Sequence, residues 1–321
     1  MPVQKVIYDT DPGVDDAMAL FFLHYHPDIE LIGITTGHGN ASVEITTRNA
    51  LYLKERFAIN APVARGADGP VNGEHAYHAS SVHGSNGLGE VAIPDHIAAM
   101  PIDQPAHRFI IDTVRMHPGE VTLVAVGRMT NLALALREDP GIADLVKAVV
   151  IMGGAFGYHG HLGNATPAAE ANIFGDPEAA DEMFAAKWPI AVIGLDVTHE
   201  VLMATDYLRE LAEEAGDVGQ FIWDISRYYE NFYLKKGLSG ISVHDASAAI
   251  YVVASELFET RSGPIRVVCE GLAKGQTIQR PDAVGFAPSA WDNRPSHAVC
   301  TQVNAPALLD LYRETIKLAV K

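Results

Sequence analysis

Four aspartates crowd into eight residues near the N-terminus, Asp9-Thr10-Asp11-Pro12-Gly13-Val14-Asp15-Asp16. Carboxylates this close repel one another unless a cation sits among them. An all-oxygen donor set suits a hard ion, calcium or magnesium. Asp15 and Asp16 alone could be first-turn acids that complement a helix dipole. Asp9 and Asp11 would then stay unexplained, because they lie on the other side of the Pro12-Gly13 turn.

The flanking elements say how the four acids would converge. Val6-Ile7-Tyr8 suits a buried parallel strand, and 17–25 has the length of a helix. Asp9 and Asp11 then sit at the C-terminal end of a strand, and Asp15 and Asp16 at the start of a helix. In open α/β sheets, ligands bind outside the C-terminal strand ends. Further strands are expected at 29–36, 62–66, 121–126, 148–152 and 190–195, with helices at 42–57, 106–117 and 132–137 between them. Asn131 reads as the N-cap of the last of these. Asp176-Pro177 opens another helix, with Asp as N-cap and Pro at the first helical position. A helix over 219–236 carries an aromatic stripe of Phe221, Tyr228, Phe232 and Tyr233, and its spacing reads as core. One of Tyr228, Tyr229 or Tyr233 is expected to face a ligand ring. His244-Asp245 opens a helix over 246–254, and Ala305 begins the last one.

This order predicts an α/β fold: an open, mostly parallel, Rossmann-like sheet with helices on both faces and the site at the C-terminal strand ends. No linker-like stretch divides the chain. Residues 1–321 read as a single domain, with about 265–300 a small strand-containing C-terminal appendage.

Bulk composition excludes some classes. The formal charge is 23 − 40 = −17, which argues against a nucleic-acid partner. Hydrophobic residues make up 48% and no apolar run approaches a bilayer span, so no membrane partner is expected. Cys269 and Cys300 form no ligand pair and read as plain thiols of a cytoplasmic protein. No secretory leader is read ahead of the first strand.

The strand ends supply carboxylates, amides and one imidazole: Asn40, Thr130, Asn131, Asn164, Glu170, Asn172, His244 and Asp245 join the four aspartates. The loop 68–95 adds His75, His78 and His83, the first two reading as solvated. There is no nucleophile elbow, no GxGxxG after the first strand and no GxxxxGK[ST], which disfavours phosphate transfer and nicotinamide chemistry. Asp and Asn side chains around one cation suit the vicinal hydroxyls of a sugar. A sugar C–N or C–O bond breaks through an oxocarbenium-like state that nearby anions stabilise. A histidine is the usual proton donor to a leaving group near neutral pH.

The acid stretch resembles the N-terminal signature of the nucleoside hydrolases of the inosine–uridine preferring type. Thr36-Gly37-His38-Gly39-Asn40, Gly127-Arg128-Met129-Thr130-Asn131, Met152-Gly153-Gly154, Gly163-Asn164-Ala165-Thr166, Glu170-Ala171-Asn172 and His244-Asp245 resemble its later blocks, in the family's order. The resemblance implies calcium-dependent hydrolysis of the N-glycosidic bond of ribonucleosides, giving ribose and free base, as in nucleoside salvage. Asp11 would ligate calcium and act as the base that activates water. Asp16 and Asp245 would ligate through carboxylates, and Thr130 through its carbonyl. Asp15, Asn40, Asn164, Glu170 and Asn172 would hold ribose hydroxyls, and Met152 would line that site. His244 would protonate the base, Tyr233 and His83 would contact it, and Asp9 would stand behind the metal loop. Uridine, cytidine and inosine are the expected substrates, and a homotetramer or dimer the expected assembly. Departures from the pattern are Arg128-Met129, where Pro or Gly and then Leu are common, Ala171 for Phe, and Asn86 for Asp. Two rivals remain. Asp9-Thr10-Asp11 after a strand also resembles the nucleophile motif of haloacid-dehalogenase-like phosphatases, and the same polar set would serve a non-catalytic nucleoside- or sugar-binding protein.

Overall fold

The computed structural model describes residues 3–74 and 78–320, so His75 lies outside the described residues. Its strands are β1 (Gln4–Thr10), β2 (Ile29–Thr36), β3 (Val63–Arg65), β4 (Val121–Ala125), β5 (Ala148–Met152), β6 (Ile190–Ile193), β7 (Leu202–Ala204), β8 (Gly240–Ser242), β9 (Phe258–Gly263), β10 (Ile265–Val267), β11 (Thr277–Gln279) and β12 (His297–Val303). Eight of them form the central sheet in the order β3-β2-β1-β4-β5-β6-β12-β9. All neighbours pair in parallel except β9, which runs antiparallel to β12. This is the open α/β fold expected from the alternation of apolar runs.

Strand periodicity divides the core between the two faces. Val6 and Tyr8 of β1 pack into one hydrophobic cluster with the helix Val14–Tyr25, while Ile7 packs into the other, under Val121, Leu123 and Ala125. The chain leaves β1 towards β2 and β3, then returns to add β4, β5 and β6 on the opposite side. The connections therefore reverse between β1 and β4, and a crevice opens at their C-terminal ends. The acid stretch follows β1, and residues 126–130 follow β4, so both border that crevice.

The tail differs from the expected appendage. β10 and β11 form their own two-stranded antiparallel pair, but β12 joins the main sheet between β6 and β9. No helix among the described residues is long and apolar enough to cross a membrane. Cys269 and Cys300 are free thiols.

Candidate active site

The turn after β1 is folded around Asp16. Its Oδ1 accepts from Thr10 Oγ1 at 2.6 Å and from the Asp11 amide at 3.2 Å. Its Oδ2 accepts from the Gly13 amide at 2.9 Å and from Asn40 Nδ2 at 2.8 Å. The Gly13 contact is a capping bond at the start of the helix Val14–Tyr25, and with the Asp11 amide bond it folds the turn tightly around Asp16. Asn40 also donates from its amide to Asp11 Oδ2 at 2.6 Å. Gly39 permits that approach, since a Cβ there would lie 1.8 Å from Asp11 Oδ2.

Asp9 stands behind this loop. Its Oδ1 accepts from Thr35 Oγ1 at 2.6 Å and Asn131 Nδ2 at 2.8 Å. Burial pushes its carboxyl up to about 7, with those two bonds holding it back. Asn131 is therefore no N-cap. The helix begins earlier, at Thr130, with Met129 in the cap position, and Asn131 ties Asp9 to the Thr36 carbonyl and the Ala67 amide. Asn131→Ala removes these bonds from a buried carboxyl and should cost about 1–3 kcal/mol of stability at neutral pH, read by denaturant unfolding. A loss below about 0.5 kcal/mol would show that Asp9 needs no such support.

Carboxylate oxygens of Asp15, Asp16 and Asp245 lie within 4.8 Å of one another. Asp245 opens the helix Asp245–Tyr251, whose packing against Val14–Tyr25 brings segments far apart in sequence together here. Burial, then mutual repulsion, raises Asp11, Asp16 and Asp245, while burial pushes Asp15 up to about 6. Asp11 Oδ1 and Asp15 Oδ1 are buried without a hydrogen-bond partner. Among the described residues, the Asp245 carboxylate accepts no hydrogen bond either. Unpaired buried carboxylate oxygens are costly. A donor set of hard oxygens in this condition fits a divalent cation such as calcium. The geometry draws Asp15 into the tightest trio, where the resemblance placed Asp11.

Above the acids lies a cavity of about 370 Å³. Asp15, Asn40, His83, Met152, Asn164, Glu170, Asn172, Tyr233, His244 and Asp245 all line it. Most of these side chains are already engaged. Glu170 caps the short helix Ala171–Gly175 and accepts from the amides of Gly154, Asn172 and Ile173. Asn164 Oδ1 accepts from the Ala171 amide at 2.9 Å. Asn172 Nδ2 donates to the carbonyls of Val126, at 2.6 Å, and Met152, at 3.2 Å. Asn40 is spent on the acid loop, so its amide positions Asp11 and Asp16 more than it awaits a ligand. Ala171 lines the cavity, and Asn86 closes its own loop through Leu88, Glu90 and Val91.

One chain of hydrogen bonds crosses the wall formed by the helix Gly216–Lys235. Tyr229 donates to Asp15 Oδ2 at 3.0 Å. A phenol has one proton, so the 3.2 Å bond between Tyr229 and Tyr233 must be donated by Tyr233. The 2.8 Å contact of Tyr233 with His244 Nε2 must then be donated by the imidazole, and Nδ1 accepts from Thr198 Oγ1 at 2.8 Å. Burial, then His199 and His83, holds His244 well below the usual imidazole range, so it is neutral. Its single ring proton is thus committed to Tyr233 rather than free to meet a ligand. Tyr228 points outward at 37% exposure, whereas Tyr229 and Tyr233 both line the cavity. His83 is not a solvated loop residue. It is buried, its ring lies against Tyr229, and its Nδ1 accepts from the Val14 amide at 3.2 Å.

Thr130 departs from its expected place. Its hydroxyl donates to Asp176, it is absent from the cavity wall, and as a first-turn helical residue its carbonyl points down its own helix. The cavity carbonyl at this strand end belongs to Val126. Sequence reasoning also missed Thr198, His199, Phe232 and Lys236. Thr198 and His199 were detectable only as residues just past a strand end. The phosphatase rival needs a lysine beside the acid loop, and among the described residues the cavity-lining lysine is Lys236, at the far end of the helix Gly216–Lys235.

Comparison with known proteins agrees with the site. The profile of the inosine-uridine preferring nucleoside hydrolases matches residues 6–310. Uridine nucleosidase 1 of Arabidopsis thaliana is 41% identical, over 86% of this chain and 81% of that protein. The inosine-uridine preferring nucleoside hydrolase of Leishmania major is 38% identical, over 86% of this chain and 87% of that one. A solved plant nucleoside hydrolase, PpNRh1, superposes with a TM-score of 0.93 at 36% identity, covering 98% of this chain and 99% of its own. The acid loop, the strand-end amides and the match along nearly the whole chain make this protein a nucleoside hydrolase, a member of the inosine-uridine preferring family.

Proposed function

We propose that the protein is a calcium-dependent ribonucleoside hydrolase that cleaves uridine, cytidine and inosine to ribose and free base. The observation that carries this is the floor of the cavity, where buried carboxylates with unpartnered oxygens meet side chains able to grip a sugar diol. Asp11, Asp16 and Asp245 would hold the ion, with the Val126 carbonyl taking the part first expected of Thr130. A bound dication supplies Lewis acidity that makes water easier to deprotonate.

The chain's own groups do the rest. Asp11 is aimed by Asn40 at Oδ2, and its free Oδ1 takes the proton of the attacking water. Asp15 Oδ1 accepts a ribose hydroxyl, while Tyr229 fixes the other oxygen. As the C–N bond breaks, its electron pair passes to the base and positive charge grows on the sugar, which the anionic floor stabilises. The base then needs a proton. Tyr233 turns its hydroxyl to the cavity and gives it, the His244 Nε2–H stays hydrogen-bonded to the phenolate oxygen left behind, and solvent water returns the proton to Tyr233 once the base has departed. This route makes His244 a positioning residue that steadies the Tyr233 oxygen. The family's relatives named for uridine and for inosine-uridine support the substrate choice.

The direct test is reducing-sugar release from a nucleoside panel, with and without a calcium chelator. Uridine, cytidine and inosine should release ribose, and chelation should abolish it. Undiminished activity after thorough chelation would remove the metal from the account.

A further inference from the structure

One end of the cavity takes no part in the roles above. The helix Gly216–Lys235 runs along the wall from Tyr229, on Asp15, through Tyr233, on His244, to Lys236 at its C-terminal cap. The step from Tyr229 to Lys236 is about 10 Å along the axis. That is the reach of a nucleoside from its ribose to the far edge of its base. Lys236 is exposed to solvent and lines the cavity, with Nζ 4.2 Å from the centre of the Phe232 ring. Such a contact holds an ammonium in place without using up its N–H donors.

The imidazole near Lys236 is His199. His199 pairs through Nδ1 with Ser242 Oγ at 3.1 Å. His83 lies at the opposite, acid end, against Tyr229 and 3.7 Å from Asp15. The cavity's carboxylates, Asp15, Glu170 and Asp245, are gathered on the floor. The far end therefore offers the ammonium of Lys236, away from the carboxylates.

We propose that Lys236 is a specificity-determining residue that donates to an oxo group on the far edge of the base. The enzyme then prefers uracil and hypoxanthine, with an oxo group at C4 or C6, to cytosine and adenine, with an amino group there. An ammonium is a donor only. Opposite an oxo group it makes a charge-assisted bond. Opposite an exocyclic amino group it sets donor against donor, which rejects that base. The oxo oxygen also gains negative charge as the base departs with the electron pair of the broken C–N bond, so the contact strengthens in the transition state. The inference rests on the nucleoside hydrolase reading and narrows its substrates.

The test compares kcat/KM for uridine, cytidine, inosine and adenosine in the calcium-loaded wild type, Lys236→Met and Lys236→Arg. The wild type should favour uridine over cytidine and inosine over adenosine. Lys236→Met should lower both ratios by about tenfold or more, through loss on the oxo substrates, and Lys236→Arg should keep most of the preference. Ratios that do not move, or a loss of equal factor on all four substrates, overturn the assignment to Lys236. A wild type that prefers the amino bases overturns it too. A wild type that releases ribose from none of the four overturns the hydrolase reading itself, which separates the two failures.

Discussion

Asp11→Asn should lower kcat/KM for the best nucleoside by about 10³-fold or more while leaving the protein folded. Asparagine matches the volume of aspartate, and its carbonyl oxygen can still accept the Asn40 amide that now bonds Oδ2. It cannot take a proton from water at Oδ1, and it brings no negative charge to the ion or to the developing oxocarbenium. Both losses fall on the transition state, so kcat should drop far more than KM rises. Asp11 is also one of the acids that raise Asp245 through repulsion. Neutralising it relieves that repulsion, so the metal-free variant should melt no lower than the metal-free wild type. A variant that melts normally and hydrolyses within about tenfold of wild type would show that Asp11 is not the base.

The acid loop was legible because its signals are local. An apolar strand, a Pro-Gly turn and a helix start fix where Asp9, Asp11, Asp15 and Asp16 fall. Asp9 behind the loop was what the family resemblance implied, and Thr35 and Asn131 hold it there. The carbonyl at the β4 end was misplaced for an equally local reason. The helix starts two residues earlier than its apolar pattern suggests, so Thr130 is helical and the strand-end carbonyl on the cavity is that of Val126, which accepts from Asn172. Asn131 was misread in the same way. Its bonds to Asp9, Thr36 and Ala67 span three segments that meet only in the fold. β12 shows the same limit at larger scale, because its pairing with β6 joins residues far apart in sequence and no local pattern encodes it. Helical periodicity placed Tyr228 and Tyr233 on one stripe, yet only the packing distinguishes exposed Tyr228 from Tyr229 and Tyr233 on the cavity wall. Lys236 had no signature at all. A lysine after an aromatic helix is ordinary until the helix is seen to run along the length of the cavity.

Calcium removal should make stability fall as pH rises, and calcium should reverse the trend. The sign follows from linkage. An aspartate whose folded pKa lies above its unfolded value of 3.8 binds more protons folded than unfolded between the two values. Stability then declines as pH climbs through that window. Burial puts Asp15 at about 6 and Asp9 at about 7, and Asp11, Asp16 and Asp245 are raised as well. The chelated protein should therefore lose several degrees of Tm between pH 5 and pH 8. Calcium binds the deprotonated carboxylates, so its stabilisation grows over the same range. The gap between loaded and chelated melting curves should widen steadily with pH. Asp9 is held by Thr35 and Asn131, away from the trio of Asp15, Asp16 and Asp245, so its share of the decline persists in both forms. Asp9→Asn should remove a decline common to both curves and leave the gap intact. Asp245→Asn should shrink the gap itself, because it removes both an ion ligand and a source of the repulsion. Melting scans at four pH values, with and without calcium, would decide the matter. A chelated protein equally stable at pH 5 and pH 8, and unmoved by calcium, would mean that the crowded acids are neither strained nor a cation site.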